Sequence, residues 1–289
     1  MIQTLTPTNW QDYELIDSGG FEKLERFGDY VLRRPEPQAI WDKSMDDSNW
    51  NEKCHAYFKK DKGSQEKGEW VQLKSIPDRW FIKYPLDSQP ITFKISMSSF
   101  KHVGIFPEQA VNWDYIAKLT KPDYKILNLF AYTGGASLAA KTKNADISHV
   151  DSVKQVISWA KDNMEASNLD NIRWVFDDAM KYVQREVRRE KKYNGIILDP
   201  PAYGRGPDGE KWILEEQLNE ILKQCQLLLE PNNHYFILNL YSLGFSALIV
   251  ENLIKTIFGK VNNLEIGELY VEDSFEKKLP LGVYCRFHS

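Results

Sequence analysis

The sequence predicts an α/β protein in which a mostly parallel sheet, covered on both faces, follows a small β-rich N-terminal segment. Three observations predict it. Residues 1 to 97 hold short apolar runs cut by Gly, Pro, Asp and Asn clusters, as small all-β modules do. From about residue 98 strand-like runs alternate with helix-like periodicity, the pattern of parallel strands joined by covering helices. The stretch "ILDPPAYGRGPDGEKW" (197 to 212) ends an apolar run with an acid, two prolines and then glycines. Its X-Pro bonds hold Asp199 and Pro200 extended, and neither proline can donate to a ladder, so the strand stops at Asp199.

In chain order, "YELIDSG", "DYVLRR", "EWVQL" and "RWFIKYP" are the N-terminal strands, and the polar "KKDKGSQEKGEW" (59 to 70) reads as an exposed hairpin loop. Pro107 suits the first position of a helix over "PEQAVNWDYIAKL". Further strands are "YKILNLFAY" (124 to 132), "DISHVD" (146 to 151), "IRWVF" (172 to 176), "YNGIILD" (193 to 199) and "HYFILNLY" (234 to 241). Between them, "VKQVISWAKDNMEAS" and "LEEQLNEILKQCQLLLE" repeat apolar residues at helical spacing, which makes Cys225 a core residue rather than a nucleophile. After a helix at about 244 to 258, "LEIGELYVED" and "LGVYCRFHS" read as a closing strand pair.

At 289 residues the chain can form one large domain or two smaller ones, and the break in pattern divides it at 97/98. Hydrophobic content of 42% with 27% charged residues fits a soluble globular protein. The net charge of -4 offers no global attraction to phosphate, so nucleic-acid contact must rest on a local basic patch. Three isolated cysteines without CxxC spacing argue against a disulfide framework and a zinc site, and suit a reducing cytoplasm. No basic start with a following apolar run suggests export, and no apolar run is long enough to span a membrane. Oligomeric state is not legible.

Ligands of open α/β sheets sit at the carboxyl ends of strands, so the strand tips carry the chemistry. The first tip reads "NLFAYTGGASLAA", where Thr133, Gly134 and Gly135 open a helix and allow a tight turn. It is not the GxGxxG of a dinucleotide site. The second ends at Asp151, sixteen positions beyond Gly135, placed either to accept ribose hydroxyls or to cap a helix. The third ends at Asp177 and Asp178, with the same choice between an adenine amino group and a helix cap.

A glycine turn, a ribose acid and an adenine-reading acid without a pyrophosphate cradle suit S-adenosylmethionine. With "LNLFAYTGG", "HVDSVKQVISWAKDN", "DDAMKYVQREVRR", "GIILDPPAYGRGPDGE" and the preceding "GIFPEQA", residues 100 to 245 resemble the class I S-adenosylmethionine-dependent methyltransferases, particularly the bacterial 23S-type rRNA methyltransferase-like group. The resemblance implies a Rossmann-like, mostly parallel seven-stranded sheet. It also implies that Asn128, Phe130, Tyr132, Thr133 and Gly134 line the cofactor's methionine and ribose, that Asp151 holds the ribose, and that Asp178 meets the adenine. Phe106 and Gln109 would approach the methionine end.

The reaction is an in-line displacement from a sulfonium, so aiming the nucleophile and accepting its proton are the main tasks. Asp199 and the Pro200 carbonyl could accept from an amine while Tyr203 stacks on a flat ring. No cysteine stands in "NLYSLGF" or "DPPAYG", which favours transfer to nitrogen over a covalent pyrimidine route. Tyr241 and Ser242 would finish the cleft wall. "GRGPDGEKW" reads as a mobile lid or a plain surface loop, with Arg205 able to meet a phosphate. Arg185, Arg188 and Arg189 share a helix face, either a solvated surface or an RNA-phosphate contact. The expected function is methyl transfer to a base of ribosomal or other structured RNA, with the 1–97 segment capturing substrate. A protein or small-molecule acceptor, or a non-catalytic binding module, are the alternatives.

Overall fold

The structure, a computed structural model, describes residues 2–61, 67–87, 89–241 and 244–289. After β1 (Gln3–Leu5), a five-stranded sheet forms from β2 (Tyr13–Gly19), β3 (Glu22–Phe27), β4 (Tyr30–Pro35), β5 (Ala56–Lys60) and β6 (Gly68–Gln72), in that order. The segment read as purely β also contains α1 (Asp47–Lys53), capped by Asp46, whose side chain accepts from Asn49 N. Seven residues that bury only Trp50 show no helical period in sequence. Because α1 carries the chain back across the sheet, β4 and β5 pair in parallel while the other neighbours are antiparallel. β5 and β6 form the expected hairpin; residues 62–66 of its loop lie outside the described residues.

The hairpin of β7 (Arg79–Tyr84) and β8 (Ile91–Ser96) follows. β7 alternates cleanly, burying Trp80, Ile82 and Tyr84 and exposing the residues between. A 3₁₀ turn at Pro107–Gln109 starts α2 (Ala110–Leu119) at the predicted proline. Then come β9 (Lys125–Leu129), α3 (Gly135–Lys141), β10 (Asp146–Asp151), α4 (Lys154–Ala166), β11 (Ile172–Phe176), α5 (Ala179–Arg188) and β12 (Gly195–Leu198). The chain continues through β13 (Tyr203–Arg205), β14 (Lys211–Ile213), α6 (Leu214–Leu228), β15 (Tyr235–Leu240), α7 (Ala247–Phe258), β16 (Glu265–Glu272) and β17 (Lys278–His288). No described helix is long and apolar enough to cross a membrane.

The main sheet runs β1-β16-β17-β15-β12-β9-β10-β11 and is parallel except for β17, which is antiparallel to both neighbours. The seven predicted strands are all present. The eighth, β1, comes from the N-terminal end and pairs in parallel with β16. Successive strand residues face opposite layers: Ile126 and Ile197 join the core under α2 and α3, while Leu127, Ile196 and Leu198 join the core under α5, α6 and α7. The first of these cores is continuous with the aromatic interior of the N-terminal half, Tyr13, Phe27, Trp80 and Phe93. Cys225 is buried in the second core.

Side chains stitch the two halves. The edge of β8 is satisfied by α4: Asn163 Oδ1 accepts from Lys94 N at 2.7 Å, Ser167 Oγ accepts from Thr92 N at 2.8 Å, and Trp159 Nε1 donates to Lys94 O at 2.8 Å. At the other end, buried Asp17 accepts from Met45 N, Trp50 Nε1 and Lys277 Nζ, the last from the β16–β17 turn. Burial opposes ionisation of Asp17, yet these donors outweigh it and hold the carboxyl below its usual range. Asp17→Ala removes the acceptor of Lys277 and of four other donors, Ser18 N, Ser44 N, Met45 N and Trp50 Nε1, and should lower the unfolding free energy by about 3–5 kcal/mol in urea titration; a loss below about 1 kcal/mol would show that water replaces the carboxylate.

Candidate active site

Beyond Leu129 the chain leaves β9 through a contorted turn: Phe130 and Tyr132 take positive φ of 53° and 49°, and Gly134 takes 93°. Asp151, at the tip of neighbouring β10, braces this turn. Its Oδ2 accepts from Tyr132 N and its Oδ1 from Val153 N, both at 2.9 Å. The capping alternative is not what occurs, since Val153 holds the N-cap position of α4 without a side-chain cap. Burial drives the Asp151 pKa to about 6 against the pull of these two backbone donors. Gly135 is needed for packing: a Cβ there would sit 2.7 Å from the Trp113 indole beneath the turn. Thr133 Oγ1 donates to Gly104 O at 2.7 Å, fixing the turn to the segment that carries Phe106.

A cavity opens at these tips, at the carboxyl ends of the parallel strands where ligands of such sheets bind. It brings together Asn128, Phe130, Tyr132, Thr133, Gly134 and Gly135 from β9 and its turn, Phe106 and Gln109 from the 3₁₀ turn, and Asp199 from the end of β12. Sequence reasoning missed Asn112, Trp113 and Asn239, which also line it. Asn112 Nδ2 donates to the amide oxygens of Gln109 and Asn239, both at 3.0 Å, while Arg286 Nη1 donates to Asn112 Oδ1 at 3.3 Å. Gln109 and Asn239 thus use their oxygens on Asn112, which leaves their NH₂ donors for a ligand. Asn128 Nδ2 donates to Ser137 Oγ, which also contacts Nδ1 of buried His149. Desolvation lowers the His149 pKa to about 3, so the imidazole is neutral.

Asp199 ends the fourth parallel strand, with its backbone N–H on Leu129 O and buried Pro200 behind it. Burial raises its pKa to about 7. A carboxylate poised there can accept a proton near neutrality.

Other expected residues lie outside this cavity. Asp178 caps α5, accepting from Lys181 N at 2.9 Å, and Asp177 Oδ2 accepts from Arg185 Nη2 at 2.7 Å. Arg185 is therefore engaged, and its guanidinium also lies 5.1 Å from the Tyr182 ring centroid. Arg189 has left the helix as its C-cap and pairs with Glu186. Because α5 starts at the strand tips and runs away from them, Arg188 and Arg189 lie about 15 Å beyond its N-cap at 1.5 Å per residue. Tyr203, 54% exposed, and exposed Arg205 stand on β13 outside the cavity wall.

The glycine-rich stretch after Pro201 is an antiparallel hairpin, not a free loop. β13 pairs with β14, Trp212 Nε1 donates to Pro201 O at 2.7 Å, and Lys181 on α5 bonds Glu210 and Asp208 at the turn. Trp212 is buried against Phe130, with ring centroids 4.7 Å apart. Tyr241 remains half-exposed after β15; Ser242 lies outside the described residues. No group of three or more metal-ligating side chains occurs among the described residues.

Amide donors at one end, aromatic walls at Phe106, Phe130 and Tyr132, and an anionic corner at Asp199 suit an amino acid joined through a cationic centre to a nucleoside. No family model matches the chain. A protein of Methanocaldococcus jannaschii, provisionally named a ribosomal RNA large subunit methyltransferase, is 29% identical over 148 residues, 50% of this chain and 38% of that protein. Ribosomal RNA large subunit methyltransferase K/L of Pseudoalteromonas translucida is 34% identical over 114 residues, 38% of this chain and 16% of that protein. The matched stretches thus span less than half of these curated relatives. The crystal structure of the SAM-dependent methyltransferase from Agrobacterium tumefaciens superposes with a TM-score of 0.90 at 34% identity, covering 99% of this chain and 93% of that one. With that likeness over nearly the whole length of both, the strand order and the tip cavity have one reading: the chain belongs to the class I S-adenosylmethionine-dependent methyltransferases.

Proposed function

We propose that this protein transfers a methyl group from S-adenosylmethionine to a base, at nitrogen, in ribosomal or other structured RNA. The observation that carries the reading is the placement of Asp199 in the wall of the cavity built by Asn128, Phe130 and the 132–135 turn. The names of the M. jannaschii and P. translucida relatives support an RNA acceptor. When bound, S-adenosylmethionine supplies an electrophilic methyl carbon on a sulfonium. Gln109, Asn128 and Asn239 would hold the amino-acid end, Asp151 the ribose, and Asp178 the adenine through the carboxylate oxygen not used in capping. Asp199 accepts the proton of the attacking nitrogen, and Pro200 limits its movement. Tyr203 offers an exposed face to a flat ring, and Arg205 on the same strand can meet a neighbouring phosphate. Residues 1–97 would form the substrate-side wall.

Cys54, Cys225 and Cys285 are all buried, and burial pushes the Cys225 and Cys285 thiols well up, which supports direct attack by nitrogen over a cysteine adduct. Labelled methyl groups should pass from S-adenosylmethionine to rRNA of a strain lacking this protein and not to fully modified rRNA. Equal incorporation into both would remove the RNA reading, and transfer to protein extract or metabolites instead would name another acceptor.

A further inference from the structure

Asn112, Gln109 and Asn239 line the active-site cavity together, and which of their atoms a ligand meets is decided outside it. Asn112, from α2, is only 2% exposed and bridges Gln109 of the 3₁₀ turn to Asn239 of β15. A side-chain amide can exchange its oxygen for its NH₂ by turning over, with little change of shape. Two arrangements of the trio are therefore self-consistent. In one, Asn112 donates to both neighbours, and they show NH₂ groups to the cavity. In the other, Asn112 accepts from both, and they show oxygens.

Arg286 of β17 selects the first. A guanidinium only donates, and Arg286 Nη1 donates to Asn112 Oδ1 at 3.3 Å and to Val111 O at 3.2 Å. Turning Asn112 over would set its NH₂ against that guanidinium, donor facing donor. Arg286 is itself held in place: Nε and Nη2 donate to Glu265 Oε2 at 2.9 and 2.7 Å, and its guanidinium carbon lies 4.2 Å from the Tyr115 ring centroid. With Asn112 fixed, Nδ2 donates to Gln109 Oε1 and to Asn239 Oδ1, both at 3.0 Å. Asn128, in the same lining, is fixed the opposite way: its Nδ2 donates to Ser137 Oγ at 2.9 Å, which leaves its oxygen to accept. Donors on two amides and an acceptor on a third match the carboxylate and the ammonium of an α-amino acid.

We propose that Arg286, acting through Asn112, is a positioning residue that makes Gln109 and Asn239 donors to the carboxylate of S-adenosylmethionine. The proposal rests on the placement of the cofactor's amino-acid end at these amides. It is independent of the RNA reading, because its test contains no RNA.

The test is calorimetry with two ligands: S-adenosylhomocysteine, and 5′-methylthioadenosine, which keeps the adenosine and the thioether but lacks the amino acid. The wild type should bind the first at least about tenfold more tightly, the effect of hydrogen bonds to charged groups. Equal wild-type affinities would remove the placement of the amino-acid end, and the proposal with it. In Asn112→Asp the introduced carboxylate pairs with Arg286 and draws both neighbouring NH₂ groups onto itself, so Gln109 and Asn239 show oxygens to the ligand. S-adenosylhomocysteine affinity should fall by roughly 10- to 100-fold while 5′-methylthioadenosine affinity stays within about threefold. Asn112→Leu, similar in size and neutral, leaves both amides free to turn and should cost about tenfold with the same sparing of 5′-methylthioadenosine, as should Arg286→Met. These two carry the test if Asn112→Asp does not fold. A loss shared equally by both ligands would assign Asn112 and Arg286 a structural role and overturn the proposal. So would a loss in Asn112→Asp and Arg286→Met with Asn112→Leu at wild-type affinity, which would reduce the effect to net charge, and so would wild-type affinities throughout.

Discussion

Asp199→Asn should lower kcat of methyl transfer by roughly 10²- to 10⁴-fold, the range for loss of a positioned proton acceptor, while S-adenosylhomocysteine affinity stays within about fivefold. The amide keeps the shape of the corner and cannot accept a proton. In the wild type, burial places the Asp199 pKa at about 7, so the carboxylate is half-ionised there. Its log rate should climb with slope near one from about pH 5 to about pH 7 and then level off; the Asn variant should lack that limb. A wild-type profile flat over this interval, or an Asn variant with undiminished turnover, would assign the proton to another group.

The same shift bears on stability. An unfolded aspartate titrates near about 3.9, below the folded value, so the folded state holds its proton more tightly. This contribution is fully present below the unfolded pKa and is lost as pH rises through about 7. Glu108 at about 7 and Asp151 at about 6 act in the same direction. Asp17 and Glu25, held below their usual range, act oppositely and lose their contribution only in stronger acid. The cavity acids therefore make the protein less stable at neutral than at mildly acidic pH, and Asp199→Asn should raise the neutral melting temperature.

Asp151→Ala should weaken S-adenosylhomocysteine binding by about 100-fold and lower stability by about 1–2 kcal/mol, the range for losing one part-buried and one exposed hydrogen bond to a carboxylate. Two effects combine. The carboxylate proposed to hold the ribose is lost, and Tyr132 N and Val153 N lose their acceptor. The positive φ of Phe130 and Tyr132 persists only while the surroundings enforce it, so the cavity wall should relax with the brace. Calorimetry and urea unfolding measure the two separately. Unchanged affinity alongside reduced stability would leave Asp151 a structural role alone.

Much of this site was legible because its signals are local. Two prolines after Asp199 stop a strand whatever surrounds it, and Pro107 starts the helical segment at the expected residue. Helical spacing places Cys225 in a core without reference to contacts. The basic face of α5 left two readings open because spacing shows neither that Asp177 folds back onto Arg185 nor which end of the helix meets the cavity. The glycines after Tyr203 suggested freedom, whereas Trp212 and Lys181 anchor that hairpin from other elements.

By itself the sequence determined the seven strands of the main sheet and the helices between them, the acids that end β10, β11 and β12, and the turn at 199–201, since backbone sterics and side-chain period act over a few residues. Only the tertiary structure decided that Asn112 meets Asn239 across 127 positions, that Gln3–Leu5 joins the edge of the large sheet, and that Glu108 is buried opposite Lys23 and Glu36. The physical reason is that burial and charge pairing belong to the packed molecule: a glutamate in "FPEQA" reads as solvent-facing until another sheet closes over it.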